Sequence, residues 1–142
     1  MQQKNTEIGN FDESLPACED YDLWLRIAKH YPFHFIAEKL IVKRGGHEDQ
    51  LSRKYWGMDR WRVYALEKLL QENKLDGEQS DRVVLLKENR LKKEQKDLVV
   101  TMLIEKCEIL INGFGKRGKN QEREHYRNLV ARYSGRIEEP VK

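Results

Sequence analysis

Apolar positions along this chain fall into three regimes, and each predicts a different kind of structure. Residues 1–18 carry no sustained period and are punctuated by Gly9, Asn10 and Pro16, the mark of an irregular lead-in. From Tyr21 to His30 the pattern turns helical. Asp22, Arg26, Lys29 and His30 fall on one side, and Tyr21, Trp24, Leu25 and Ala28 share another. The Tyr31-Pro32 pair should end that helix, because a residue before proline is pushed out of the α region. Phe33-His34-Phe35-Ile36 and Leu40-Ile41-Val42-Lys43 then read as two short β-strands around a Glu38-Lys39 connection. Gly45-Gly46 breaks the second strand and exposes a loop carrying His47, Glu48, Asp49 and Gln50, and Ser52 is a plausible N-cap for the next helix.

From Arg53 onward the chain reads as helix throughout. Trp56, Val63, Leu66 and Leu70 make one stripe that ends near Asn73. Asp76 to Gln79 has capping-box spacing and would start a long helix running to about Gly115, with a polar middle between Lys87 and Asp97. Val99, Leu103, Cys107, Leu110 and Phe114 form its buried stripe, and Gly115 and Gly118 mark the stop. A last helix carries Tyr126, Leu129, Val130 and Tyr133 at i, i+3, i+4, i+7 spacing. The last two helices should pack as an antiparallel hairpin. No internal repeat is present.

Composition narrows this picture rather than changing it. With 36% charged against 39% hydrophobic residues and a mean hydropathy of −0.85, 142 residues suit one modest, helical, soluble unit with a thin core. No apolar run is long enough to cross a bilayer, and Met1 to Thr6 has no apolar core of a secretory signal, so a cytoplasmic location is expected. Cys18 and Cys107 belong to no metal-type spacing and read as reduced thiols, Cys107 at a buried helix position. The net charge of +3 argues for neither nucleic acid nor an anionic membrane. Arg60-Trp61-Arg62 and Lys116-Arg117-Gly118-Lys119 are diluted by Asp59, Glu67, Glu122 and Glu124 and read as solvated faces, so no nucleic-acid partner is expected.

Chemistry concentrates in Glu19-Asp20-Tyr21-Asp22-Leu23-Trp24-Leu25-Arg26. Acidic residues favour a helix's first turn, where they meet unpaired amides and the positive end of the dipole. The same position keeps a carboxylate ionised and able to take a proton from a hydroxyl. Asp22 and Arg26, four apart, predict an exposed intrahelical ion pair worth about 0.2–0.5 kcal/mol. Trp24 reads as a core residue, with a stacking platform for a sugar ring as the alternative. Arg44 and His47 flank the double glycine, either as an ordinary polar loop or as groups suited to a phosphate or a metal.

Together with Gly9-Asn10-Phe11-Asp12-Glu13 before it and Arg44-Gly45-Gly46-His47 after it, this octet resembles the acceptor-side half of family-2 glycosyltransferases with the GT-A fold. The resemblance covers roughly residues 8–56. It implies an α+β, mainly helical chain: residues 1–52 as a short remnant of a GT-A sheet, with one helix and two short strands, and residues 53–142 as a helical extension of about three helices. It also implies that Asp20 is the general base of an inverting transfer from a nucleotide diphosphate donor to a glycan or other hydroxyl acceptor. Glu19 would orient the acceptor, Trp24 would contact it, and Arg44 and His47 would approach the donor diphosphate or its metal. Asp20-Tyr21-Asp22 matches an Asp-x-Asp pattern by spelling only; in the family the metal motif ends a strand, so no metal ligand is assigned to it. Gln50, Arg53 and Trp56 loosely match the signature of processive members, but Lys54 stands where a tryptophan should follow Arg53, so processive synthesis is not implied. With so few residues ahead of Glu19, the donor-binding half falls outside this sequence. Mg²⁺ or Mn²⁺ and a nucleotide sugar would serve the full-length enzyme and not be bound by this chain alone. A competing expectation is a non-catalytic helical interaction module, or one subunit of a split transferase, that meets a donor-binding half or itself through exposed apolar surface.

Overall fold

The computed structural model describes residues 8–42, 44, 54–72 and 91–135. Within them are four helices: α1 (Glu19–His30), α2 (Asp59–Glu72), α3 (Lys93–Lys116) and α4 (Asn120–Ser134). α3 is the central element, packing against α2 on one side and α4 on the other, while α1 packs on α2. Val63, Leu66 and Leu70 of α2 meet Val100, Leu103, Cys107, Leu110 and Phe114 of α3 and Tyr126, Leu129 and Tyr133 of α4 in one core. At the level of α3 and α4 this is the stripe read from the sequence, with Val100 fully buried and Val99 packed at its margin. α2 buries a broader face than its predicted stripe, adding Ala65 and Leu69, whereas Trp56 lies in the turn before the helix.

Local chemistry sets the helix ends. α1 has Glu19, Asp20 and Asp22 in its first turn and Lys29 and His30 in its last, matching the dipole at both ends. Tyr31 leaves the helix in an extended conformation (φ −126°, ψ 138°) just before Pro32, as expected. At the start of α3 the Gln95 side-chain oxygen accepts the Lys92 N–H at 2.9 Å, satisfying an amide that would otherwise be orphaned. α3 runs through Gly115 and stops at Lys116, and Gly118 takes the left-handed conformation (φ 66°) that turns the chain into α4. The Lys119 N–H donates back to the Phe114 carbonyl at 3.1 Å, closing the turn. The expected start of this helix at Asp76, and its capping box with Gln79, lie outside the described residues.

The predicted sheet remnant is overturned. Among the described residues there is no strand, and the fold is all helical rather than α+β. Phe33–Ile36 and the described part of Leu40–Lys43 form no ladder and are exposed, with Phe35, Ile41 and Val42 at 89%, 84% and 86%. Their composition favours strands, but β-propensity measures fit to a half-buried pleated surface, and no neighbouring strand among the described residues supplies one. No helix among the described residues is long and apolar enough to cross a membrane.

Candidate functional site

α1 is held in place by a polar clamp. Asp22, on its inner face, is only 2% exposed. Its Oδ2 accepts from Arg26 Nε at 3.0 Å and pairs with Nη2 at 2.9 Å, two nitrogens of one guanidinium converging on a single carboxylate oxygen. Its Oδ1 lies 3.2 Å from Lys68 Nζ on α2, and the same ammonium lies 2.7 Å from Asp12. Arg26 reaches onward to the lead-in, donating to the carbonyls of Ile8 and, at 2.8 Å, Asn10. Ser14 donates to Asp12 through both its amide and its hydroxyl. Lys68 and Ser14 together pull the Asp12 carboxyl down from 3.8 to about 2. The expected exposed Asp22–Arg26 pair is thus a buried junction joining the lead-in, α1 and α2. Spacing identified Arg26 as a partner of Asp22; Lys68, on a different helix, had no signal in the sequence.

This clamp fixes the turn that carries the Glu-Asp pair. Asp20 is exposed, with Oδ1 accepting the Tyr21 N–H at 2.7 Å, while Glu19 beside it is half-buried. The residue before them, Cys18, takes a left-handed conformation (φ 63°), and its thiol lies 3.7 Å from the Met58 carbonyl in the turn before α2. Burial pushes the Cys18 thiol up, and Asp20, Asp59 and Glu19 push in the same direction while Arg62 opposes them. The Glu-Asp turn therefore sits beside the head of α2.

Trp24 stands on the outer side of α1, 55% exposed, with Phe33 edge-on at 5.6 Å between ring centroids. The core face of α1 is supplied by Tyr21 and Leu25 instead. Arg44 is exposed, and His47 lies outside the described residues. The structure thus gathers Glu19 and Asp20 on one turn and sets Trp24 on the exposed side of the same helix.

Among the described residues, clefts lie elsewhere on the helical body, and Glu19, Asp20, Trp24 and Arg44 line none of the following. One of about 420 Å³ runs between Ser14-Leu15, α2 and α4 and carries Arg60, Glu67 and His125. A second, of about 560 Å³, lies between Arg60 and the start of α4. A third, of about 400 Å³, opens between the head of α2 and the last turns of α3.

The divalent cation implied by the resemblance finds no fitting donor set here. Among the described residues no three His, Cys, Asp or Glu side chains converge, and Asp12 and Asp22, both beside Lys68, share its ammonium group.

Comparison with known proteins adds a name for the relationship. A segment of 48 residues, 34% of this chain, is 46% identical to an uncharacterized glycosyltransferase of Rickettsia felis. A segment of the same length is 44% identical to one of Rickettsia conorii, and 80 residues are 35% identical to one of Rickettsia bellii. Over these segments the chain is similar to glycosyltransferases. It spans 8% of the first two relatives' length and 11% of the third's. No protein-family model matches the chain, and no solved structure does.

Proposed function

We propose that this chain contributes the acceptor-side, base-bearing part of an inverting, family-2-type glycosyltransferase. The observation that carries the reading is the exposed Asp20 carboxylate on a helix turn held by the buried Asp22–Arg26–Lys68 clamp. The similarity to proteins named glycosyltransferases supports the same class. Asp20 takes the proton of an acceptor hydroxyl. The oxygen then attacks the anomeric carbon of the donor sugar, and the bond from that carbon to the nucleoside diphosphate breaks with inversion. Glu19 orients the acceptor, and Trp24 offers an aromatic face to its ring. On this reading the donor and the divalent cation that would assist it are bound outside the described helices, which alone do not complete the reaction.

The test is a fusion of this chain to a donor-binding part taken from one of the longer relatives, assayed for sugar transfer. Asp20→Asn should lower turnover by about 10²–10⁴-fold with nucleoside diphosphate affinity unchanged, because asparagine keeps the shape but accepts no proton. Turnover near that of the unaltered fusion would remove Asp20 from this role.

A second reading, a non-catalytic interaction module, is favoured by the exposed run from Phe33 to Val42, whose most exposed apolar side chains, Phe35, Ile41 and Val42, stand almost wholly in solvent. Sedimentation separates the two. If the segment mediates association, Phe35→Lys with Ile41→Lys should abolish assembly and leave the helical core intact; unchanged assembly would dismiss this reading.

A further inference from the structure

The cleft at the head of α2 carries a feature that the transferase reading does not use. Its walls include Tyr55, Trp56, Asp59 and Arg62 on one side and Gly113 and Arg117 of the α3 terminus on the other. The Arg117 guanidinium lies 3.9 Å from the centre of the Trp56 ring, and its Nη1 donates to the Gly113 carbonyl at 3.0 Å. Trp56 is itself braced edge-on against Phe114 at 5.0 Å. Gly113 permits the approach: a methyl group there would meet the Trp56 ring at 3.2 Å. A flexible side chain is thereby fixed in one orientation with most of its N–H donors unspent.

The charge around the cleft is not balanced. Asp59, its one acidic lining residue, lies 2.8 Å from Arg62 and 3.7 Å from Lys106. Arg117 has no carboxylate within 4.0 Å among the described residues, and neither has Arg60, whose guanidinium lies 5.9 Å from the same Trp56 ring and donates to the Trp56 and Gly57 carbonyls. Arg62 and Lys106 flank the one carboxylate while Arg117 lines the same cleft without one, so three cations in and beside the cleft stand against one negative charge, an excess of two. An arginine ordered on an indole without an acidic partner keeps donors free for an acceptor, and a doubly charged group matches the excess.

We propose that this cleft binds a phosphate group, with Arg117 as its principal ligand and Trp56 as the pedestal that orients it. A phosphorylated sugar is the class of compound that fits a cleft of about 400 Å³ with one strongly cationic wall. The site is independent of the role assigned to Asp20, since it requires binding and no turnover.

Calorimetry on the full chain tests it with glucose 6-phosphate, inorganic phosphate, glucuronate and glucose as probes. Glucose 6-phosphate should bind with a Kd of the order of 1 mM or tighter, and inorganic phosphate should compete with it. Arg117→Gln should weaken this by about tenfold or more. Arg127→Gln, removing a cation that already faces Glu124 at 3.6 Å, should leave it unchanged. Gly113→Ala should also weaken it by displacing the indole, and the quenching of tryptophan fluorescence by the ligand should fall in parallel. Thermal melts would confirm that the variants fold, which the exposed position of Arg117 favours. Equal binding of glucuronate, wild-type affinity in Arg117→Gln, or no binding of glucose 6-phosphate to the unaltered chain would each overturn the proposal.

Discussion

Asp22 carries more of this structure than its neighbour Asp20, although the sequence draws attention to both alike. Neutralising a carboxylate removed from water and shared by Arg26 and Lys68 leaves Arg26 without its carboxylate and Lys68 with Asp12 alone. Both cations keep some contact with solvent, which limits the loss, so Asp22→Asn should cost about 2 kcal/mol in urea unfolding. Glu124→Gln, at an exposed ion pair, should stay within about 0.5 kcal/mol. Two further groups contribute to the pH dependence. Asp12 has its carboxyl lowered from 3.8 to about 2, so its contribution is present above pH 3.8 and lost as the pH falls toward 2. It is small, because Asp12 remains accessible to water. Cys107 is the opposite case: burial pushes its thiol from 9.0 up to about 12, followed by repulsion from Glu67 and Glu108. The folded chain therefore holds that proton longer than the unfolded one, and stability should fall between pH 9 and 12. Denaturant midpoints across both ranges, with Cys107→Ala reducing the alkaline slope to what Cys18, Tyr21 and Tyr126 leave, would check the assignment.

Among the elements, the α3–α4 hairpin is the part most plainly written in the sequence. A stripe of large side chains at helical spacing can bury itself in few ways, and the short turn through Gly118 selects one of them. Phe114 and Tyr126 stack with ring planes 10° apart and centroids 5.6 Å apart, tying the two helices beside that turn. Leu110→Ala should cost about 2–5 kcal/mol, since Leu110 is enclosed in the joint core; a midpoint shift too small to measure would contradict that packing. Gly118→Ala meets no atom within 4 Å and should cost about 1 kcal/mol from its backbone conformation alone. The strand expectation fails for a definite reason. The aromatic and β-branched content of Phe33–Ile36 and Leu40–Lys43 records what a segment would do beside a partner, and composition carries no information about whether the partner is present. Trp24 is similarly ambiguous: its position on α1 is legible, but the face that α1 buries is decided by Asp22 and Lys68 rather than by apolar content.

Across the whole molecule, α1 and its lead-in attach to the helical body differently from the way that body holds itself together. α2, α3 and α4 share an apolar core, while α1 adds Tyr21 and Leu25 at its margin and relies on the clamp formed by Asp22, Arg26, Lys68 and Asp12. The candidate base is legible because acidic residues at a helix start leave a local signature. Its mounting is not, because that depends on a lysine from a different helix. A joint made of ion pairs and carbonyl contacts is cooperative within itself yet weakly coupled to an oily interior. In native-state hydrogen exchange, the amides of α1 should therefore open as a unit at a lower free energy than those of α3, and Asp22→Asn should widen that gap without changing exchange in the centre of α3.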